Sequence, residues 1–237
     1  MLRCAPLAEV APHLFTAATL RLRDDKSEWE RIAEYAGVDA GRLRLLHQVH
    51  GRRVVVATPD GQAERPEADA IISDDPALAL VVRVADCAPI LMADRRQGVA
   101  AAVHAGWRST MQRIVMHTVA MLESTYGTKP GNLVVAIGPS LGSCCGEMGE
   151  EVVDTFRREG HDEGTLSRWF VREAGRRPHF DLWRANREQL EAAGVQPHSI
   201  HASGLCTRTY PETFHSYRAA GQQAGRMAAV IRADPMA

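Results

Sequence analysis

Three side chains in this 237-residue chain could do chemistry together: His50 in HQVHG, Cys87 in VADCAPI and His104 in AVHAGWR. Each closes a short apolar run. Small residues (Ala88, Ala105 and Gly106) follow Cys87 and His104 and leave room for a ligand to approach. Imidazole and thiolate are the N and S donors that zinc takes. A catalytic zinc commonly keeps three protein ligands and an open fourth position. Water at such a position becomes a nucleophile near neutral pH. The same soft donors tolerate copper. A second reading makes Cys87 a nucleophile with His104 as its base. A third leaves Cys87 an inert buried thiol and His104 a structural histidine. Residue types and spacing leave all three readings open. His47 is a lesser candidate, because in a strand it would point away from His50. Asp86 either orients a ligand or caps a turn.

Arg108, Arg218 and Arg226 are candidate anion binders. The small-residue loop Gly138–Ser143, with Ser140 at its centre, precedes an expected helix, a setting that suits phosphate. Cys144 and Cys145 are adjacent and offer no ligand geometry as a pair. His161-Asp162-Glu163 spells the H-x-E of zinc deaminases. No P-C-x-x-C accompanies it, and the stretch reads as surface. No tight H-x-H pair is present to build a multicopper cluster.

These residues need strands to present them. Buried strands are expected over Leu78–Val84, Pro89–Ala93, Val99–Val103 and Leu133–Ile137, all apolar and bounded by turn residues. Others are expected over His13–Arg23, Leu43–Val49, Arg53–Ala57, Ser199–Ser203 and Gly225–Ile231. Ser27-Glu28-Trp29-Glu30 reads as a capping box for a helix that stops at Gly37. Ser109 or Thr110 caps another, with Met111, Ile114, Val115, Thr118, Met121 and Leu122 inward and Gly127 at its end. Further helices are expected over Glu147–Arg158 and from Asp181 to Gly194. Thr58–Glu67 reads as a loop and His161–Pro178 as a charged surface excursion. With neither repeats nor low-complexity linkers, the pattern is a single α+β domain over residues 1–237 with a mixed β-sheet.

The composition narrows the setting. The net charge is −1, and 45% of residues are hydrophobic against 24% charged, an ordinary globular balance. With no block of like charges, neither nucleic acid nor a membrane surface has electrostatic support as a partner. No apolar run approaches the ~20 residues of a membrane helix. Met1–Leu20 lacks the pattern of a signal peptide. The five cysteines read as reduced thiols in the cytoplasm.

Taken together and in this order, HQVHG, VADCAPI, AVHAGWR, AIGPSLGSCCGEMGEEV and CTRTYPETFHSYRAAGQQAGR resemble the YfiH/YlmD family. That family is also called the multicopper polyphenol oxidase or purine nucleoside phosphorylase family. The resemblance covers roughly residues 47–231. It implies a layered α+β fold shared with cytotoxic necrotising factor-like toxins, and a catalytic zinc on His50, Cys87 and His104. It also implies phosphorolysis of adenosine, inosine and methylthioadenosine, and deamination of adenosine. The partners would then be nucleoside and phosphate, with Arg218, Arg108 and Ser140 as the residues expected to contact them. Two rivals attach to the family: a copper-dependent polyphenol oxidase, and a peptidoglycan-precursor editing hydrolase with Cys87 as nucleophile. The chain departs from the family pattern at Ser109, Gly146, Ala219 and Ala220, and in FTAAT near the start.

Overall fold

The computed structural model describes residues 1–23, 25–59 and 65–235. Two mixed sheets lie against each other. The four-stranded sheet has the order β1 (His13–Phe15), β12 (Met227–Arg232), β5 (Ala79–Val84) and β2 (Leu43–Leu45). The six-stranded sheet runs β11 (Ile200–Ala202), β8 (Leu133–Ile137), β6 (Ala88–Asp94), β7 (Ala100–Ala105), β4 (Ala70–Ser73) and β3 (Val54–Val56). A small ribbon pairs β9 (Phe170–Val171) with β10 (His179–Phe180). The helices are α1 (Ala5–Ala8), α2 (Lys26–Ala36), α3 (Trp107–Met111), α4 (Ile114–Tyr126), α5 (Glu150–Arg158), α6 (Glu163–Trp169), α7 (Leu182–Ala192) and α8 (Tyr217–Ala220). None of the described helices is long and apolar enough to cross a membrane.

Strand alternation explains the layers, since successive side chains take opposite faces. Leu80 and Val82 of β5 and Ala229 and Ile231 of β12 pack against Leu91, Ala102 and Val134 of the other sheet. The intervening residues Ala79, Val81, Ala228 and Val230 meet Ile32 and Ala33 of α2. On the far side, Ile90, Met92, Val103 and Ile137 meet Ile114, Val119 and Leu122 of α4 and Leu190 of α7. The order is helix, sheet, sheet, helix. Strands covered on both faces have no polar side, which is why they read as unbroken apolar runs. The same property hides which strands pair, so the single sheet expected from the sequence is in fact two.

Several boundaries differ from expectation for local reasons. β1 stops at Phe15 instead of reaching Arg23, and Leu22 carries a positive φ of 46° that no strand accommodates. Helix α2 is capped by Asp25, whose carboxylate accepts the Ser27 N–H at 2.9 Å. Glu28 turns back instead to the N–H groups of Arg21 and Leu22. β2 ends at Leu45, four residues short of Val49. The helix expected from Ser109 or Thr110 is two helices, α3 and α4, broken at Arg113 where φ is 60°. Gly106 precedes α3, and Ser109 and Thr110 are buried rather than capping. Helix α5 begins at Glu150 behind Gly149, not at Glu147. Strand β4 is a four-residue strand with no periodicity of its own to mark it in the sequence. Part of the expected Thr58–Glu67 loop, 60–64, lies outside the described residues.

The largest correction concerns 161–178, expected at the surface. Leu166, Trp169 and Phe170 are buried there, and with Phe180 they surround Phe156. The Phe156 ring lies 5.2 Å from each of His161, Phe170 and Phe180. His161 is buried, with Nε2 2.8 Å from the Met111 carbonyl oxygen. The charges in this stretch occupy one side of a short amphipathic helix whose other side completes the core.

Candidate metal centre

Strand register assembles the site. β6 and β7 pair antiparallel with Pro89 opposite His104 and Ala88 opposite Ala105. Cys87, in the turn between β5 and β6, therefore sits beside Gly106. His50 arrives on the turn after β2. One ligand atom from each of His50, Cys87 and His104 lies within 4.8 Å of the others. Cys87 Sγ is 3.9 Å from His50 Nε2. The two imidazoles meet edge to face, with centroids 4.8 Å apart and planes at 76°. A Cβ on Gly106 would come 2.8 Å from Cys87 Sγ and 3.1 Å from His50 Cδ2. The glycine of HAGWR is thus a space requirement of the site itself. Both His50 (φ 59°) and Asp86 (φ 86°) hold left-handed backbone conformations. For side chains with a Cβ these cost free energy and persist only where surrounding contacts impose them.

Asp69 imposes the first of these, at His50, and the sequence reading did not single it out. It is fully buried at the entry to β4. Its Oδ1 accepts from the His50 N–H at 2.9 Å and lies 2.8 Å from His104 Nδ1. Its Oδ2 accepts from the N–H groups of Gly51 at 2.6 Å and Val49 at 3.3 Å. One carboxylate therefore shapes the HQVHG turn and holds His104 with Nδ1–H donated, which leaves Nε2 for the site. Such hydrogen bonds set ligand tautomer and basicity. The available signal was an acid between two alanines beside an apolar strand, which must find partners if buried.

The electrostatics follow. Burial opposes ionisation of Cys87, but the charge on His104 and hydrogen bonds from His104 and His50 outweigh it and bring the thiol down to about 6. Burial likewise opposes protonation of His104. The Cys87 charge and the Asp69 hydrogen bond prevail and raise it to about 9. Without a metal the centre is a thiolate–imidazolium pair. Two imidazoles and a thiolate converging on one point fit a zinc-type N/S donor set, with room for a further ligand from the cavity side.

That side is a cavity of about 770 Å³ lined by His47, His50, Cys87, His104 and several arginines. Since β2 ends at Leu45, His47 and His50 are not on one strand, and both face the cavity instead of opposite sides. Arg108 stacks on Trp107, its Cζ 4.2 Å from the ring centroid. Arg218 donates to the Glu147 carbonyl at 2.9 Å, and its own N–H donates to Asp86 Oδ2 at 2.6 Å. Arg226 and Arg23 anchor on carbonyls, sharing that of Ala224. None of these four arginines forms an ion pair among the described residues, and all four line the cavity together with Asp86. Asp86 orients this wall rather than a ligand, accepting from Thr207 Oγ1 at 2.6 Å as well as from Arg218. Ser140 is not part of the cavity. It is fully buried and accepts the Trp183 indole N–H at 2.6 Å. The Gly138–Ser143 loop accordingly presents no open helix terminus to an anion.

Residues 23–234 match the family model described as multi-copper polyphenol oxidoreductase laccase. The chain belongs to that family. Within it, the chain is 37% identical over 252 residues to the purine nucleoside phosphorylase of Deinococcus radiodurans, covering 98% of this chain and 92% of that protein. It is 38% identical over 159 residues to the purine nucleoside phosphorylase of Bacteroides thetaiotaomicron. That match covers 67% of this chain and 58% of that protein. The crystal structure of YlmD from Geobacillus stearothermophilus superimposes with a TM-score of 0.82 at 29% identity, over 94% of this chain and 89% of that one. The α+β layering described above is the fold of this laccase-like family.

Proposed function

We propose that this protein is a zinc-dependent purine nucleoside phosphorylase, with His50, Cys87 and His104 as the metal ligands and the whole chain as one catalytic domain. The observation that carries the reading is the convergence of these three donors on a cavity that Arg108, Arg218 and Arg226 also line. The names of the relatives supply the substrate class. Zinc is favoured over copper because the donors form one N/S set, without the H-x-H pairs a multicopper cluster needs.

When bound, the metal supplies a Lewis acid with an open coordination position. The chain does the rest. Asp69 holds His104 in the ligating tautomer. Arg108 and Arg218 hold the phosphate and balance its charge as one of its oxygens attacks the ribose anomeric carbon. The bond to the purine nitrogen breaks, and that nitrogen leaves with a proton. Tyr217, half exposed on the cavity wall, offers an aromatic face for the base. A Lewis acid held by His50, Cys87 and His104 would also serve a second reaction, adenosine deamination, in which water replaces the amine and ammonia leaves.

The test is zinc content together with inosine and adenosine turnover, in wild type and Cys87→Ala. The variant should carry one equivalent less zinc and lose phosphate-dependent release of free base. Unchanged zinc would end the ligand assignment, and undiminished turnover after zinc loss would end the mechanism. A hydrolase using Cys87 as nucleophile would instead survive chelation and succumb to alkylation.

A further inference from the structure

A second cluster of soft donors lies outside the cavity and shares no ligand with the site above. Cys144 and Cys145 sit on the short turn Ser143–Cys145, and Cys206 lies beyond β11. All three are free thiols. Read as adjacent residues, Cys144 and Cys145 offered no ligand geometry. The fold supplies it by adding Cys206, and the three Sγ atoms lie within 4.8 Å of one another.

The convergence is held by backbone. Ser140 bridges Cys206, with the Thr207 N–H donating to the Ser140 carbonyl at 3.0 Å and the Ser140 N–H to that of Leu205 at 3.2 Å. Gly142 permits the approach. A Cβ there would meet the Trp183 ring at 2.7 Å and Cys206 Cβ at 3.3 Å. Cys144 and Cys145 Sγ are 3.7 Å apart, and Thr209 Oγ1 is 3.6 Å from the first and 3.7 Å from the second. A metal ~2.3 Å from each sulfur spaces them by ~3.8 Å when tetrahedral and ~4.0 Å when trigonal. The Cys144 and Cys145 sulfurs therefore already stand near the separation that one ion requires, with Cys206 Sγ within 4.8 Å of both. A disulfide would need ~2.05 Å.

The charge is also in place. Burial opposes ionisation of Cys206. The Thr209 hydroxyl and the N–H groups of Gly142, Thr209 and Arg208 nevertheless bring its thiol down to about 7. Desolvation pushes Cys144 the other way, and its neighbouring thiols add to that. The Cys206 charge thus opposes ionisation of the thiols beside it, and a cation among the three sulfurs relieves that repulsion.

We propose that Cys144, Cys145 and Cys206 form a second, thiolate-only site for a soft cation, zinc(II) or copper(I), which clamps the Cys144–Cys145 turn to the segment carrying Thr207. Soft thiolates select these ions. The clamp bears on the cavity, because Thr207 fixes Asp86 next to Cys87, and Leu141 and Gly146 line the cavity wall.

The test uses the full chain, reduced and metal-free. Cobalt(II) is titrated as a reporter of thiolate charge transfer. Zinc(II) and copper(I) are then titrated separately against chromophoric chelators. Wild type is compared with Cys144→Ser/Cys145→Ser and with His50→Ala/Cys87→Ala. The serine changes fall at an exposed and a half-buried residue, so Cys206 stays in the core and the fold is preserved; circular dichroism verifies this.

Wild type should bind two equivalents, and each double variant one. The His50/Cys87 variant should keep the stronger thiolate charge transfer. The ion whose second equivalent disappears in the serine variant is the one the site takes. Equal stoichiometry in wild type and the serine variant, for all three metals, would overturn the proposal. Loss confined to the serine variant, with the His50/Cys87 variant binding like wild type, would leave this site standing and count against the catalytic one.

Discussion

Replacing Asp69 with asparagine tests how the metal centre is held together. The native carboxylate serves His104 Nδ1 and the His50 N–H through one oxygen and the Gly51 and Val49 N–H groups through the other. An asparagine side chain keeps one acceptor oxygen and turns an NH₂ toward donors. At least two buried donors then lose their acceptor, at about 1–3 kcal/mol each, or about 2–6 kcal/mol together. In a chain of this length each kcal/mol lowers Tm by roughly 2–4 °C. The His104 tautomer is no longer enforced, so zinc affinity should fall roughly 10- to 100-fold. Calorimetry of the metal-free protein reads the first effect. Competitive titration against a chromophoric chelator reads the second. His104→Ala in a double-mutant cycle then separates the two, since Asp69→Asn should cost much less zinc affinity once His104 is gone. An Asp69→Asn protein with wild-type Tm and zinc affinity would refute the assignment of Asp69 as the organiser of the site.

The thiolate–imidazolium pair predicts a pH window in the metal-free protein. The Cys87 value is depressed, so the pair is lost as pH falls through about 6. The His104 value is raised, so the pair is lost as pH rises through about 9. Alkylation of Cys87, followed by mass spectrometry of its peptide, should accordingly show its inflection near 6, and bound zinc should suppress it. An inflection at the ordinary thiol value would contradict the geometry. Gly106→Ala forces a Cβ to 2.8 Å from Cys87 Sγ. Overpacking of this kind costs about 1–3 kcal/mol, and chelator titration should register weaker zinc binding. Arg108→Ala and Arg218→Ala should each raise the KM for phosphate roughly 10- to 100-fold, equivalent to about 1.5–3 kcal/mol for a charged hydrogen bond, with zinc content unchanged. Phe156→Ala removes the ring around which Phe170 and Phe180 pack. It should destabilise by about 3–5 kcal/mol in denaturant titration, whereas a surface excursion over 161–178 would make it nearly neutral.

Local physics explains what was readable in the residues alone. The runs that became β5, β6, β7 and β8 are apolar because both faces of each are covered, and a run of that kind announces a buried strand wherever it pairs. Asp181 and Gly127 mark helix ends through hydrogen bonds and a left-handed turn made within a few residues. His50, Cys87 and His104 stood out because polar side chains at the ends of apolar runs are exceptional. Their motifs together also carried the family resemblance.

What tertiary structure alone decided depends on residues far apart in sequence. The partition of the strands into two sheets is invisible in runs that are apolar on every side. The role of Asp69 exists only because β4 lies beside β7 and brings its carboxylate to His104, 35 positions away. The arginine wall gathers residues from both ends of the chain. Ser140 looked available in a small-residue loop, yet packing against Trp183 buried it. Cys144 and Cys145 became a three-thiol cluster only when the chain returned Cys206 beside them. Periodicity reports which side of an element is covered, and only the folded chain determines what covers it.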